Sequence, residues 1–122
     1  MRTLSVFTSW HPAGYKKYGQ QFIEGYNNCW PQSVPLTIYA EDHEPVTNKP
    51  NITVLDQATT LPDLKSWQLR HKDNKHAHGW NHDMSKKSFL WDASRFANKT
   101  FALWHFAKTC GTDIFMWCDG DV

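Results

Sequence analysis

The chain has no apolar run long enough for a membrane helix. Its longest nearly apolar stretch, Ile114 to Cys118, falls far short of the roughly 20 residues such a helix needs. It also has little excess charge of either sign, with 13 Lys and Arg against 12 Asp and Glu and a formal net charge of +1. No global field therefore gathers nucleic acid or acidic lipid, and any such binding needs a local patch. The 3 cysteines, Cys29, Cys110 and Cys118, are odd in number and widely spaced, which argues against a disulfide framework or a four-cysteine zinc site. They read as buried free thiols. Glycine and proline, 6 of each among 122 residues, are too few for a collagenous or low-complexity chain. The opening residues lack the apolar core and small-residue cleavage site of a secretory signal, so the expected location is cytoplasmic. No internal repeat appears, and residues 1–122 are expected to form a single domain.

Aromatics are what the chain has in plenty: 7 Trp, 7 Phe and 4 Tyr, residues that fill a core or stack on planar ligands. Their spacing sets out the fold. Leu4 to Phe7 is a β-prone run that ends at Thr8-Ser9, with Trp10-His11-Pro12 breaking it. Tyr15, Tyr18, Phe22 and Tyr26 recur at helical spacing and line one face of a helix between Gly14 and Asn28. Leu36 to Ala40 and Asn51 to Asp56 read as further strands, and Pro62 to His71 as a short helix. Residues 72 to 87, rich in Lys, His, Asn and Asp without an apolar period, read as an exposed or mobile loop. From Phe89 to Cys110 a helix is predicted with Ala93, Phe96, Thr100, Leu103 and Ala107 on its core face and Gly111 as the stop. Thr112 to Cys118 follows as a strand buried on both sheet faces. Such alternation predicts an α/β protein, a Rossmann-like, mostly parallel sheet with flanking helices.

The last strand runs into Asp119-Gly120-Asp121. Strand residues two apart project to the same side, so both carboxylates can face one space. Like charges so close are best compensated by a divalent cation, and Mg²⁺ or Mn²⁺ prefers such ligands and fills its shell with substrate phosphates. The same three residues also suit a polar turn.

The run Arg95 to Leu103, followed by Asp113 to Val122, resembles the helix, strand and DxD segment of GT-A glycosyltransferases. More narrowly it resembles uncharacterised glycosyltransferase-like proteins of phages and bacteria. Phe7-Thr8-Ser9-Trp10, the tyrosine-rich helix and Trp30-Pro31 resemble their opening, while residues 43 to 88 show little likeness. The resemblance implies the N-terminal, donor-binding half of a GT-A fold. It implies transfer of a sugar from a nucleoside diphosphate sugar to an unknown acceptor, hexosyltransferase-like once the C-terminal part is supplied. Asp121 would be the main ligand of Mn²⁺ or Mg²⁺, with Asp119 on the metal or the ribose. Arg95 and Lys99, four apart on one helical face, would reach the diphosphate. Thr8, Ser9, Trp10 and Tyr15 would form the nucleotide pocket, with Trp10 or Tyr15 stacked on the base.

Each candidate has a plainer reading. Arg95 pairs with Asp92 on a solvated face, the aromatics anchor loops, and Glu41 and Asp42 are loop charges rather than base or ribose contacts. Four histidines between His71 and His82 offer metal ligands without a recognised spacing. Lys72, Lys75, Lys86 and Lys87, near Trp80 and Trp91, sketch a basic-aromatic surface for an acceptor or a nucleic acid. The family's acceptor half would follow the DxD. Without it, the alternative is a non-catalytic binding module or one subunit of a split enzyme, with self-association or a partner chain covering the gap. A metal-dependent phosphatase is the third option, although its aspartates are expected after the first strand.

Overall fold

A computed structural model of the chain describes residues 1–45, 47 and 49–120. Strands β1 (Leu4–Trp10), β2 (Leu36–Ala40), β3 (Ile52–Asp56) and β4 (Ile114–Trp117) form one parallel sheet in the order β3-β2-β1-β4. The protein is therefore α/β with a Rossmann-like, all-parallel sheet flanked by helices, as the alternation predicts. β1 lies inside the sheet, with Val6 opposite Leu36 on one side and Phe7 opposite Trp117 on the other. It runs one residue further than expected, because the Glu41 amide still donates to the Trp10 carbonyl at 3.2 Å. His11-Pro12 then ends it.

The two-residue period of a strand sorts the core into two layers. Val6, Trp10, Leu36, Ile38 and Ile52 pack on one face beneath α1 (Pro12–Gly14), a π-helical turn (Tyr15–Gly19) and α2 (Gln20–Cys29), which contributes Ile23 and Tyr26. Tyr15, Tyr18 and Phe22 lie half-buried against this layer, so the aromatic stripe is the side that faces the sheet. Phe7 and Tyr39 occupy the other face. They lie under α4 (Pro62–Arg70) and α5 (Ala93–Thr109), while α3 (Gln57–Thr60) continues directly from β3 and is capped by Asp56.

Four expectations need correction. α5 turns a different side to the sheet: Ala97, Ala102 and Phe106 are buried, whereas Phe96 and Leu103 are 42% and 40% exposed. Both sides of this helix carry apolar residues, and the small alanines let it sit close to the sheet. It also starts later, at Ala93, where Asp92 Oδ1 accepts the Arg95 amide at 2.9 Å. Phe89–Trp91 is a separate 3₁₀ turn. β4 is a sheet edge rather than an enclosed strand, with Ile114 45% and Met116 37% exposed. Cys29 is exposed, and Cys110 and Cys118 are half-buried.

Residues 72–87 are exposed for the most part but stitched together. The Trp80 amide donates to the Lys75 carbonyl at 3.2 Å, Trp80 bridges Lys87, and Gly79 adopts φ +94° so that Ser88 N–H can reach its carbonyl at 2.9 Å. Among the described residues, no helix is long and apolar enough to cross a membrane.

One exposed glycine gives a direct check on the helix. A Cβ at Gly25, within α2, would meet nothing within 4 Å. Gly25→Ala is thus expected to stabilise the chain by about 0.5–1 kcal/mol, the cost of glycine in a helix interior, measured as a rise in the urea midpoint.

Candidate functional site

The chain moves outward from β1 through β2 to β3, then crosses back to place β4 on the other side of β1. At such a switch point the loops leaving neighbouring strands diverge, and a crevice opens beyond their carboxyl ends. A cleft of about 300 Å³ lies there. Ser9, Trp10 and His11 wall it from the end of β1, and Trp117, Asp119 and Gly120 from the end of β4. The first turns of α5 add Arg95, Phe96, Asn98 and Lys99, with Tyr18, Glu41 and Phe89 at other points of the wall.

Polar contacts beneath the cleft hold α5 in place. Asn98 Oδ1 accepts from Gln57 Nε2 at 3.1 Å and from Gln68 Nε2 at 3.2 Å, while Lys65 donates to Gln57 Oε1 at 3.1 Å. Gln57 is fully buried, so these bonds satisfy an amide that burial would otherwise leave costly. They join α3, α4 and α5 and fix the height at which Arg95 and Lys99 stand.

Charge in the cleft is arranged around Trp117. Its indole N–H donates to Asp119 Oδ1 at 2.5 Å, and Lys99 Nζ lies 5.1 Å from its ring centroid. Arg95 lies in the same way over Phe89, at 5.5 Å. Aromatic faces hold these cations weakly, by about 0.5–1 kcal/mol at exposed sites. Their charge stays available for an anion. Among the described residues, two of the wall also carry buried polar atoms without a hydrogen-bond partner, Ser9 Oγ and Trp10 Nε1. Such orphans are uncommon in folded proteins and cost about 1–3 kcal/mol each.

Five of the expected site residues thus meet in one cleft: Ser9, Trp10, Arg95, Lys99 and Asp119. Thr8 does not join them. It is fully buried, and its hydroxyl donates to the Cys118 carbonyl at 2.6 Å, tying β1 to the end of β4. Tyr15 stands away from the cleft wall, its ring beside Trp10 and His43 at centroid distances of 6.3 and 5.1 Å. Asp121 lies outside the described residues. His76 Nδ1 is 3.3 Å from the Trp80 carbonyl and His78 Nε2 2.8 Å from the Lys72 carbonyl. Among the described residues, no three His, Cys, Asp or Glu side chains form a metal-binding group. Asp119 nevertheless suits a cation shared with phosphates, since Mg²⁺ commonly takes one or two carboxylates and completes its shell from substrate and water.

Set against protein-family models, curated proteins and solved structures, the chain matches none.

Glu41, at the end of β2, titrates unusually. Burial raises its pKa above the ordinary 4.5, outweighing the opposing pull of His11 and Lys65. A raised carboxyl pKa means that the folded state holds its proton more tightly than the unfolded chain. The resulting stabilisation is present below the unfolded pKa and is lost as pH rises through the folded one. Glu41→Gln removes a charge that the cleft penalises. The substituted chain is expected to melt higher than the parent at pH 7, with the difference closing as pH falls below the ordinary carboxylate range. Melting curves across that range test it, and a constant difference at all pH values would assign the effect to something other than ionisation.

Proposed function

We propose that the chain is the donor-binding part of a metal-dependent glycosyltransferase, which moves a sugar from a nucleoside diphosphate sugar to an acceptor. One observation carries the reading: two cations, Arg95 and Lys99, two carboxylates, Asp119 and Glu41, and a buried tryptophan converge on a cleft at the sheet's switch point. Arg95 and Lys99 would bind the diphosphate, and Trp10 would bound the space for the nucleotide. Asp119, with Asp121 as the resemblance implies, would hold Mn²⁺ or Mg²⁺. When bound, that cation compensates the negative charge that develops on the departing nucleoside diphosphate. The orphaned Ser9 hydroxyl adds a donor and acceptor for a polar ligand.

Calorimetry with UDP- and GDP-sugars, with and without Mn²⁺, tests the proposal. Metal-dependent binding of at least one donor is expected, and Asp119→Asn should weaken it by about tenfold or more, a scale on which even outer-shell partners alter metal affinity. Absence of metal-dependent binding by every donor would sink the reading.

A second reading, a binding module acting as one subunit of a larger assembly, is favoured by the open β4 edge. Parallel strands are ordinarily covered on both faces, yet Ile114, Phe115 and Met116 are 45%, 37% and 37% exposed. Light scattering distinguishes a stable monomer from an associating chain.

A further inference from the structure

Charge is unevenly spread along this nearly neutral chain. Residues 70 to 99 hold seven Lys and Arg against three Asp, a balance of +4, and the remaining six Lys and Arg against nine Asp and Glu give −3, which together make the net +1. Two of the three acids are occupied locally. Asp83 Oδ1 accepts from the Ser85 amide at 3.1 Å and the Ser85 hydroxyl at 2.6 Å, and Asp92 caps α5.

The cations of this segment alternate with rings. Lys87 Nζ lies 5.9 Å from the Trp80 centroid, Lys86 Nζ 5.9 Å from Trp91, and Arg95 Cζ 5.5 Å from Phe89. Phe89 and Trp91 are 61% and 47% exposed. Main-chain bonds from Trp80 N–H to the Lys75 carbonyl and from Asn81 N–H to the Lys86 carbonyl, at 3.2 and 2.9 Å, hold the platform together.

We propose that this platform, built on Trp80, Lys86, Lys87 and Trp91, docks single-stranded nucleic acid. A partner that offers one phosphate and one planar ring per repeat matches a surface that alternates cations with aromatic faces. An acidic peptide or polyphosphate brings the charge without the rings, and a duplex hides the faces of its bases. The proposal does not rest on the donor reading, because Lys86, Lys87 and Trp91 lie outside the cleft wall.

The test uses the chain and a fluorescent oligothymidine of about 15 nucleotides, close to the upper end of common site sizes. Anisotropy titrations from about 50 to 200 mM salt should give a log–log slope near −0.7 per neutralised phosphate. Exchanging both lysines, Lys86→Glu with Lys87→Glu, should reduce that slope by about 1.4 and weaken binding at low salt by about tenfold or more. Trp91→Ala should weaken binding about fivefold and diminish the quenching of protein fluorescence, as loss of one stacking partner does. Lys86→Gln with Lys87→Gln repeats the test without new charge, and matched far-UV spectra show that each variant folds. Charge-matched polyphosphate should bind more weakly and leave the fluorescence unquenched. Absence of oligothymidine binding at low salt, an unchanged slope in the lysine variants, or polyphosphate or duplex binding as tight as that of the oligothymidine would overturn the proposal.

Discussion

Phe7→Ala is expected to cost about 3–5 kcal/mol, the range for removing a buried phenyl ring. Phe7 is fully buried, and its ring stacks on Phe106 at 4.6 Å and meets Trp117 and Tyr39 edge-on at 5.2 and 6.3 Å. It therefore joins α5, β4 and β2. A cavity there cannot be closed by one neighbour moving, because those neighbours belong to three elements fixed by separate hydrogen bonds. Domains of this kind are stable by only about 5–15 kcal/mol, so one substitution removes a large share. Urea denaturation followed by far-UV circular dichroism measures it, with Phe7→Leu as the milder comparison. A loss below about 1 kcal/mol, near the ordinary effect of a point substitution, would mean that α5 is not seated on β1 through this ring.

Position in the sheet explains why the strands and the first helix were legible in the sequence while parts of the second layer were not. β2 matches the predicted bounds, Leu36–Ala40, because proline precedes it and acids follow it. The tyrosine stripe was readable because the opposite side of its helix is polar. α5 has no such contrast: Phe96, Leu103 and Trp104 on its outer side are as apolar as Ala97, Phe101 and Phe106 on its inner side. β4 misled for a related reason. Composition shows what a strand can bury, whereas its place at the edge depends on where the chain crosses, which no local pattern records.

The site divides in the same way. Asp119 is legible from its place just after an apolar strand, whereas Ser9 and Trp10 come from the resemblance, which puts the nucleotide pocket at the end of the first strand. Arg95 and Lys99 came from helical spacing together with the resemblance. Trp117 carries a local signal, since it lies two residues before Asp119 and projects to the same side. Asn98 had none, because its partners Gln57 and Gln68 are 41 and 30 residues away.

Gly120→Val is expected to damage the fold and the cleft together. Gly120 is buried, and a Cβ built on it would fall 2.7 Å from Tyr18 Cε2 and 3.0 Å from Trp10 Cε3. The rings have little room to yield. A Cβ at Gly19 would already meet Trp10 Cε2 at 2.9 Å, and one at Gly14 would meet the Tyr18 hydroxyl at 2.5 Å. The glycines thus mark where backbone and aromatic rings touch, and a valine must push the chain after β4 outward. Overpacking of this sort costs about 1–3 kcal/mol. The same movement draws Asp119 away from the Trp117 indole and out of register with Arg95 and Lys99. Under the donor-binding reading, Mn²⁺-dependent donor affinity should then fall by about a hundredfold, the scale on which misplacement by about 1 Å is felt in a preorganised site. Asp119→Asn separates the two effects, because an exposed substitution should leave stability within about 0.5 kcal/mol while weakening binding. Calorimetry and urea titration on the two variants read both quantities. If Gly120→Val keeps the parent's stability, the close approach of Gly120 to Trp10 and Tyr18 is not what holds the segment after β4. If it loses stability and keeps full donor affinity, that segment does not form the binding site.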